Sequence, residues 1–187
     1  RMYKDPLNQD HDPHPLPLRP ALEADCTVLA RFVNAGYRGD SSKAGWTTEA
    51  DLLDGQRVDA DGLRDTIGQQ GSVVLLYESA GEIAACVALE VRSGDCHLGM
   101  LTVSPTRQSG GLGRALLAAA ERYAQETFGA TRMSMSVIVQ RPELIAWYER
   151  RGYRRTGRFE PFPYGDERFG LPRRPDLRFE MLEKSLR

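Results

Sequence analysis

Cysteine is scarce in this sequence: Cys26, Cys86 and Cys96 are the only three among 187 residues. An odd number without paired spacing supports neither a disulfide framework nor a zinc site, and leaves them as small buried hydrophobes. Histidine is equally sparse, and His11, His14 and His97 are too scattered to form a metal cluster. No stretch approaches the roughly 18 apolar residues of a membrane span, and the first residues lack the basic, then apolar, then small-residue order of a signal peptide. Net charge is nearly absent as well, with 25 Lys and Arg against 26 Asp and Glu, so bulk electrostatics favour neither nucleic acid nor a membrane surface. The expectation is a cytoplasmic protein without metal, as monomer or homodimer.

What is present is ordinary globular composition, 41% hydrophobic and 27% charged, over a length that suits one domain. Prolines at 6, 13, 15 and 17 lie among polar residues, so 1–15 is expected as a flexible arm ahead of a single domain over 16–187. A short edge strand should end at Arg19-Pro20. A helix follows in which Leu22, Cys26, Leu29, Phe32 and Val33 recur at helical spacing, until Gly36 and Gly39 break it. Residues 39–45 then read as a mobile loop, 46–53 as a helix start capped by Thr47 or Thr48, and 59–69 as another helix. Residues 72–77 and 83–91 form a hairpin, and 96–103 returns as a third antiparallel strand.

The stretch 98–117 organises the rest. It passes from that strand through Pro105 and a glycine-rich turn into an amphipathic helix over 112–128, stopped by Gly129. Gly110, Gly111 and Gly113 permit backbone shapes that a side chain forbids, and the first amides of a helix point at whatever anion sits there. A dinucleotide fingerprint needs a third glycine where Leu116 stands, and a P-loop needs Gly-Lys-Ser/Thr, which is missing. What remains is Gln108-Ser109-Gly110-Gly111-Leu112-Gly113, a Q-x-x-G-x-G turn. Residues 131–139 alternate and follow a helical crossover, which predicts parallel pairing with the preceding strand. A helix over 143–151 starts at Pro142 and closes at Gly152. Strands over 153–158 and 177–182 flank a proline-rich aromatic loop, 161–172.

Val103-Ser104-Pro105 followed by Gln108 through Gly113 resembles the motif of the GNAT superfamily of N-acetyltransferases, and Tyr148-Glu149-Arg150-Arg151-Gly152-Tyr153 resembles its second motif. The resemblance implies an α/β (α+β) fold: a mixed, mostly antiparallel sheet of six to seven strands flanked by helices, with a splayed parallel pair at the centre. It implies acetyl-CoA as co-substrate, with Gln108, Ser109, Gly110, Gly111, Leu112, Gly113 and Arg114 around the pyrophosphate. Leu101, Thr102 and Val103 would then lie along the pantetheine arm, the amides of Leu101 and Val103 facing the thioester carbonyl. Tyr148 inherits the role of general acid to the departing thiolate. A phenol near ~10 suits a thiolate near ~8.5. Where the family often has asparagine, seven residues before the tyrosine, this chain has Arg141.

His97 and Glu90 are the candidates for a general base that accepts the proton of the acceptor ammonium. For the acceptor itself, Tyr37 and Trp46 offer an aromatic wall, and Glu49 or Asp51 a partner for a cationic amine. The arginines after 150 interleave with acids and carry no nucleic-acid motif. The expected activity is acetyl transfer to the primary amine of a small molecule, by direct attack in a ternary complex. A protein N-acetyltransferase, a non-catalytic acyl-CoA sensor and a nucleotide-binding protein are the alternatives.

Overall fold

The computed structural model describes residues 15–43, 45 and 48–187, except for the side chains of Asp40, Gln108 and Ser109. The expected arm lies outside them apart from Pro15, as do Trp46 and Thr47. In chain order the elements are β1 (Arg19–Pro20), α1 (Cys26–Tyr37), α2 (Gly39–Ser42), β2 (Leu53–Asp54), α3 (Ala60–Gly68), β3 (Ser72–Ser79), β4 (Glu82–Arg92), β5 (Asp95–Val103), α4 (Leu112–Phe128), β6 (Arg132–Ile138), α5 (Pro142–Glu149), β7 (Arg154–Pro161), β8 (Leu171–Pro172) and β9 (Arg178–Ser185).

Seven strands make one sheet in the order β1-β3-β4-β5-β6-β9-β7, while β2 and β8 pair separately. All neighbours in the large sheet are antiparallel except β5 and β6. That exception follows from connectivity: tight turns join β3 to β4 and β4 to β5, whereas the chain crosses through α4 before entering β6.

Alternation along the strands sends side chains to two apolar layers. Leu75, Val87, Leu89, Leu98 and Val103 pack with Leu116, Leu117, Ala120 and Ala124 of α4 and with Ile145 and Tyr148 of α5. Val74, Leu76, Cys86 and Met100 pack on the other face against Leu29 and Val33 of α1 and Leu63 of α3. Each fully buried leucine or valine contributes roughly 1.5–3 kcal/mol by leaving water. Alanines at 120 and 124 let the α4 backbone lie close to the sheet. Gly129, at φ 64°, then stops the helix, its N–H bonding back to Ala124 O and Gln125 O. Asp59 caps α3 by accepting from the Gly62 N–H at 2.7 Å.

Four local expectations differ from the structure. Gly36 is buried inside α1, which ends one residue later at Tyr37. Residues 39–42, expected as loop, form the short helix α2. Residues 50–52 are turns leading into β2 instead of a helix, with Thr48 Oγ1 accepting from the Ala50 N–H at 3.2 Å. The long loop 161–172 is tied down where Leu53 pairs with Pro172 and Asp54 with Leu171. The three cysteines are free and buried, and burial pushes the Cys86 thiol up to about 12 and that of Cys96 to about 11. Among the described residues no helix is long and apolar enough to cross a membrane. Nor does any group of three or more His, Cys, Asp and Glu gather there to hold a metal.

Candidate active site

The parallel ladder is short: β5 and β6 pair only at Cys96 with Met133 and His97 with Ser134. Beyond His97 the two strands diverge, and between them opens a cleft of about 720 Å³. Leu98 to Leu101 line one side of it and Met135 to Ile138 the other. On its other edge β5 bulges, its partners jumping from Cys86–Thr102 to Ala88–Gly99. Met100 absorbs the extra residue at φ 54°, an uncommon conformation for a side chain of that size and one that marks bulges near functional sites. Thr102 Oγ1 holds the bulge by donating to Met100 O at 2.9 Å.

Backbone direction follows from this register. Ser104 N–H donates to Ala84 O at 2.9 Å, so Ser104 and its alternate, Thr102, face β4, while Leu101 and Val103 turn their backbone groups toward the opening. Leu101 O there accepts a hydrogen bond from the Tyr37 hydroxyl. Thr102, expected along the pantetheine arm, is fully buried, with its backbone facing β4 and its hydroxyl donating to Met100 O.

At the end of β5 the chain makes a 3-10 turn over Pro105–Gly110 and enters α4 through Gly111, at φ 76°. Among the described residues no side chain caps α4, so its first amides, without a partner within the helix, stand as anion donors. A Cβ placed on Gly110 or Gly111 would meet nothing within 4 Å; the space over the turn is open, as a bound pyrophosphate requires. Arg114 is exposed one turn into the helix. It borders a second hollow shared with Arg150, Arg151, Lys184 and Glu121.

The three candidate catalytic residues line the same cleft. Tyr148 is buried at 5% exposure, stacked edge-on to Trp147 and Tyr153 with ring centroids 5.0 and 5.7 Å away. Burial, then the neighbouring Tyr37, raise its phenol above its ordinary value, against the pull of Arg141 and Arg57. It therefore stays protonated at neutral pH, the form an acid needs. His97 is pulled down to about 4 by burial and then by Arg92, with Glu90 opposing. Its Nδ1 lies 3.3 Å from Ser134 Oγ. Glu90 sits directly across the ladder from His97 and accepts two hydrogen bonds from Arg92, at 2.9 and 2.8 Å.

Of the residues expected to face the acceptor, Tyr37 and Glu49 line the cleft. Asp51 is exposed and stands 4.0 Å from Lys43. Glu49 is ion-paired with buried Arg38 and lies 3.7 Å from Arg141. Burial pulls the Arg38 guanidinium below its usual range despite Glu49. Arg57 stacks over the Tyr37 ring at 4.5 Å. This arginine cluster was not visible in the sequence, where its members are separated by up to a hundred residues. The bulge had one signal, Gly99 within an otherwise continuous strand pattern.

The profile of the Acetyltransferase (GNAT) family matches residues 40–153, more than half of the chain. The chain belongs to the acetyltransferase (GNAT) family. It is an enzyme of acetyl transfer, and its seven-stranded sheet with one parallel pair is the fold of its structural neighbours. One neighbour is yncA of Salmonella typhimurium, solved with its cofactor acetyl-CoA; it is 22% identical, with a TM-score of 0.65 over 91% of this chain and 94% of that one. An N-acetyltransferase of Staphylococcus aureus is 15% identical, with a TM-score of 0.67 over 91% and 97%. A variant of the spermidine N-acetyltransferase SpeG of Vibrio cholerae is 15% identical, with a TM-score of 0.63 over 91% and 95%. No curated protein sequence matches the chain significantly.

Proposed function

We propose that this acetyltransferase moves an acetyl group from acetyl-CoA to the primary amine of a small molecule, the amine attacking the thioester directly while both are bound. The carrying observation is the cleft itself, where the protonated phenol of Tyr148 shares one space with the edge of β5 that diverges from β6. The first amides of α4, with the turn from Gln108 to Arg114, hold the pyrophosphate. The Leu101 and Val103 backbones lie along the pantetheine arm and face the carbonyl oxygen, where preorganised donors lower the barrier as charge develops. As the new N–C bond forms and the C–S bond breaks, Tyr148 gives its proton to the departing sulfur, and the proton lost from the new amide nitrogen, passed through water, restores the phenol.

A histidine held near 4 is a weak base for an ammonium near ~10. Proton loss from the acceptor therefore falls to its own equilibrium with water, with His97 and Glu90 lining the exit. On this reading kcat/KM climbs with pH toward the acceptor's own pKa.

A small acceptor is supported by what lies over the cleft. Phe162, in the 161–172 segment, is buried with Leu53, Ile138 and Leu177. Arg173 N–H donates to Leu52 O at 2.9 Å, and Arg38 Nη2 to Phe169 O at 3.2 Å. These ties hold the segment beside the cleft, which Phe162, Arg168 and Phe169 line, and a fixed wall there suits a small acceptor. The test is a calorimetric titration with acetyl-CoA followed by thiol release across an amine panel. Binding with amine-dependent release supports the proposal; binding without release under any amine makes the chain an acyl-CoA sensor. Equal competition by ATP or NAD would return it to the nucleotide-binding class.

A further inference from the structure

Arg38, Arg57 and Arg141 line the cleft together with the carboxylate of Glu49, as do Arg92, Arg168, Asp59, Asp61, Asp65 and Glu90. Glu49 is already engaged, ion-paired with Arg38 and 3.7 Å from Arg141. It has little left to offer a cationic substrate.

Burial opposes the charge of Arg57, but Tyr37 and Glu49 together hold its guanidinium above the usual range. No carboxylate pairs with it among the described residues, and its Nε is buried without a hydrogen-bond partner. A buried donor without an acceptor is costly unless something else supplies one. Its position is nevertheless fixed from two sides. Asn34 on α1 clamps the backbone there: its Oδ1 accepts from the N–H of Arg57 at 2.8 Å and of Val58 at 3.1 Å, and its Nδ2 donates to Val58 O at 2.9 Å. The guanidinium lies 4.5 Å from the centre of the Tyr37 ring, and Tyr37 is itself anchored by its hydrogen bond to Leu101 O. Arg57 is thus held one aromatic ring away from the β5 edge assigned to the thioester. The acids nearer the mouth do not serve it: Asp59 caps α3, and Asp61 pairs with Arg64 at 2.5 Å.

Resting on the acetyl-transfer reading above, we propose that the acceptor carries an oxyanion, a carboxylate or phosphonate, as well as its amine, and that Arg57 receives it. A planar fork of donors suits such a group better than a point charge does. The stacked guanidinium would hold the anionic end while the amine reaches the β5 edge and Tyr148.

The test uses matched acceptors with saturating acetyl-CoA: α- and ω-amino acids and aminoalkylphosphonates, each beside the amine that lacks the acid group. Anionic members should exceed their partners in kcat/KM by about tenfold or more. In Arg57→Met that preference should collapse by about 10- to 150-fold, the range expected for a lost charged hydrogen bond, chiefly through KM. Arg57→Lys should restore part of it. The proposal is overturned if the uncharged partners are preferred, if Arg57→Met leaves the ratio unchanged, or if no anionic amine binds or reacts while acetyl-CoA is bound. Failure of the wild-type protein to bind acetyl-CoA strikes the acetyl-transfer reading itself, and this proposal with it. Titration of Arg57→Met with acetyl-CoA separates a local loss from a misfolded variant.

Discussion

Replacing Tyr148 with phenylalanine removes one hydroxyl and keeps the ring that packs edge-on against Trp147 and Tyr153. Deleting one hydroxyl while the ring packing stays costs little, so stability should move by less than about 1 kcal/mol. Catalysis should respond far more. Positioned acids contribute roughly 10²- to 10⁴-fold, and a thiolate near ~8.5 is a good leaving group, which places this case toward the lower bound. The expected loss in kcat is about 10²-fold, equivalent to about 2.7 kcal/mol of barrier, while calorimetric affinity for acetyl-CoA stays within twofold. Burial also sets the pH signature: the raised phenol keeps its proton below its ordinary value of ~10, so wild type should show no alkaline loss from this group below pH 9. Thiol release at saturating substrates, measured from pH 6 to 9, is the assay. A Tyr148→Phe kcat within threefold of wild type across that range would refute the assignment.

Two glycines with similar geometry should separate structure from binding. Gly111→Ala and Gly129→Ala each force a side chain into positive φ, 76° and 64°, at about 1–2 kcal/mol in urea melts; only Gly111→Ala should also weaken acetyl-CoA. Glu49→Gln leaves Arg38, with its side chain 5% exposed, short of its partner, and should lower stability by about 3–5 kcal/mol; a loss under 1 kcal/mol would mean water already reaches the pair. His97 is held neutral down to about 4 in the folded protein, whereas its unfolded value is near 6.5. The unfolded chain therefore binds the extra proton between pH 6.5 and 4, and stability falls through that window by up to about 3 kcal/mol. His97→Asn should flatten that dependence in urea melts at stepped pH.

How far the sequence carried depended on whether a feature was local. The helix over 112–128 has the expected bounds, because its apolar stripe and its glycine stop are written into consecutive residues. Parallel pairing of β5 with β6 followed from the length of the crossover alone. The segment 46–53 showed the reverse. Its threonines and acids look like a helix start, but Leu53 and Asp54 pair with residues more than a hundred positions away, and a two-residue strand has no period to detect. The site divided in the same way. Its proposed donor half, the Q-x-x-G-x-G turn and the tyrosine motif, lies in short contiguous runs. Its proposed acceptor half is assembled from α1, the loop before α3 and the start of α5, so Arg38, Arg57 and Arg141 gave no joint signal.

The central claim is that the opened edge of β5 and the first turn of α4 form one binding surface for acetyl-CoA beside Tyr148. An amide-resolved NMR titration of the isotope-labelled protein with acetyl-CoA tests it most directly. Saturable shifts should appear together at the amides of Leu101, Val103, Gly111, Gly113 and Arg114, with smaller changes at Gly81 and Gly94 in the turns that flank β4. Saturable shifts confined to other surfaces, or a turn that responds while Leu101 and Val103 do not, would contradict it.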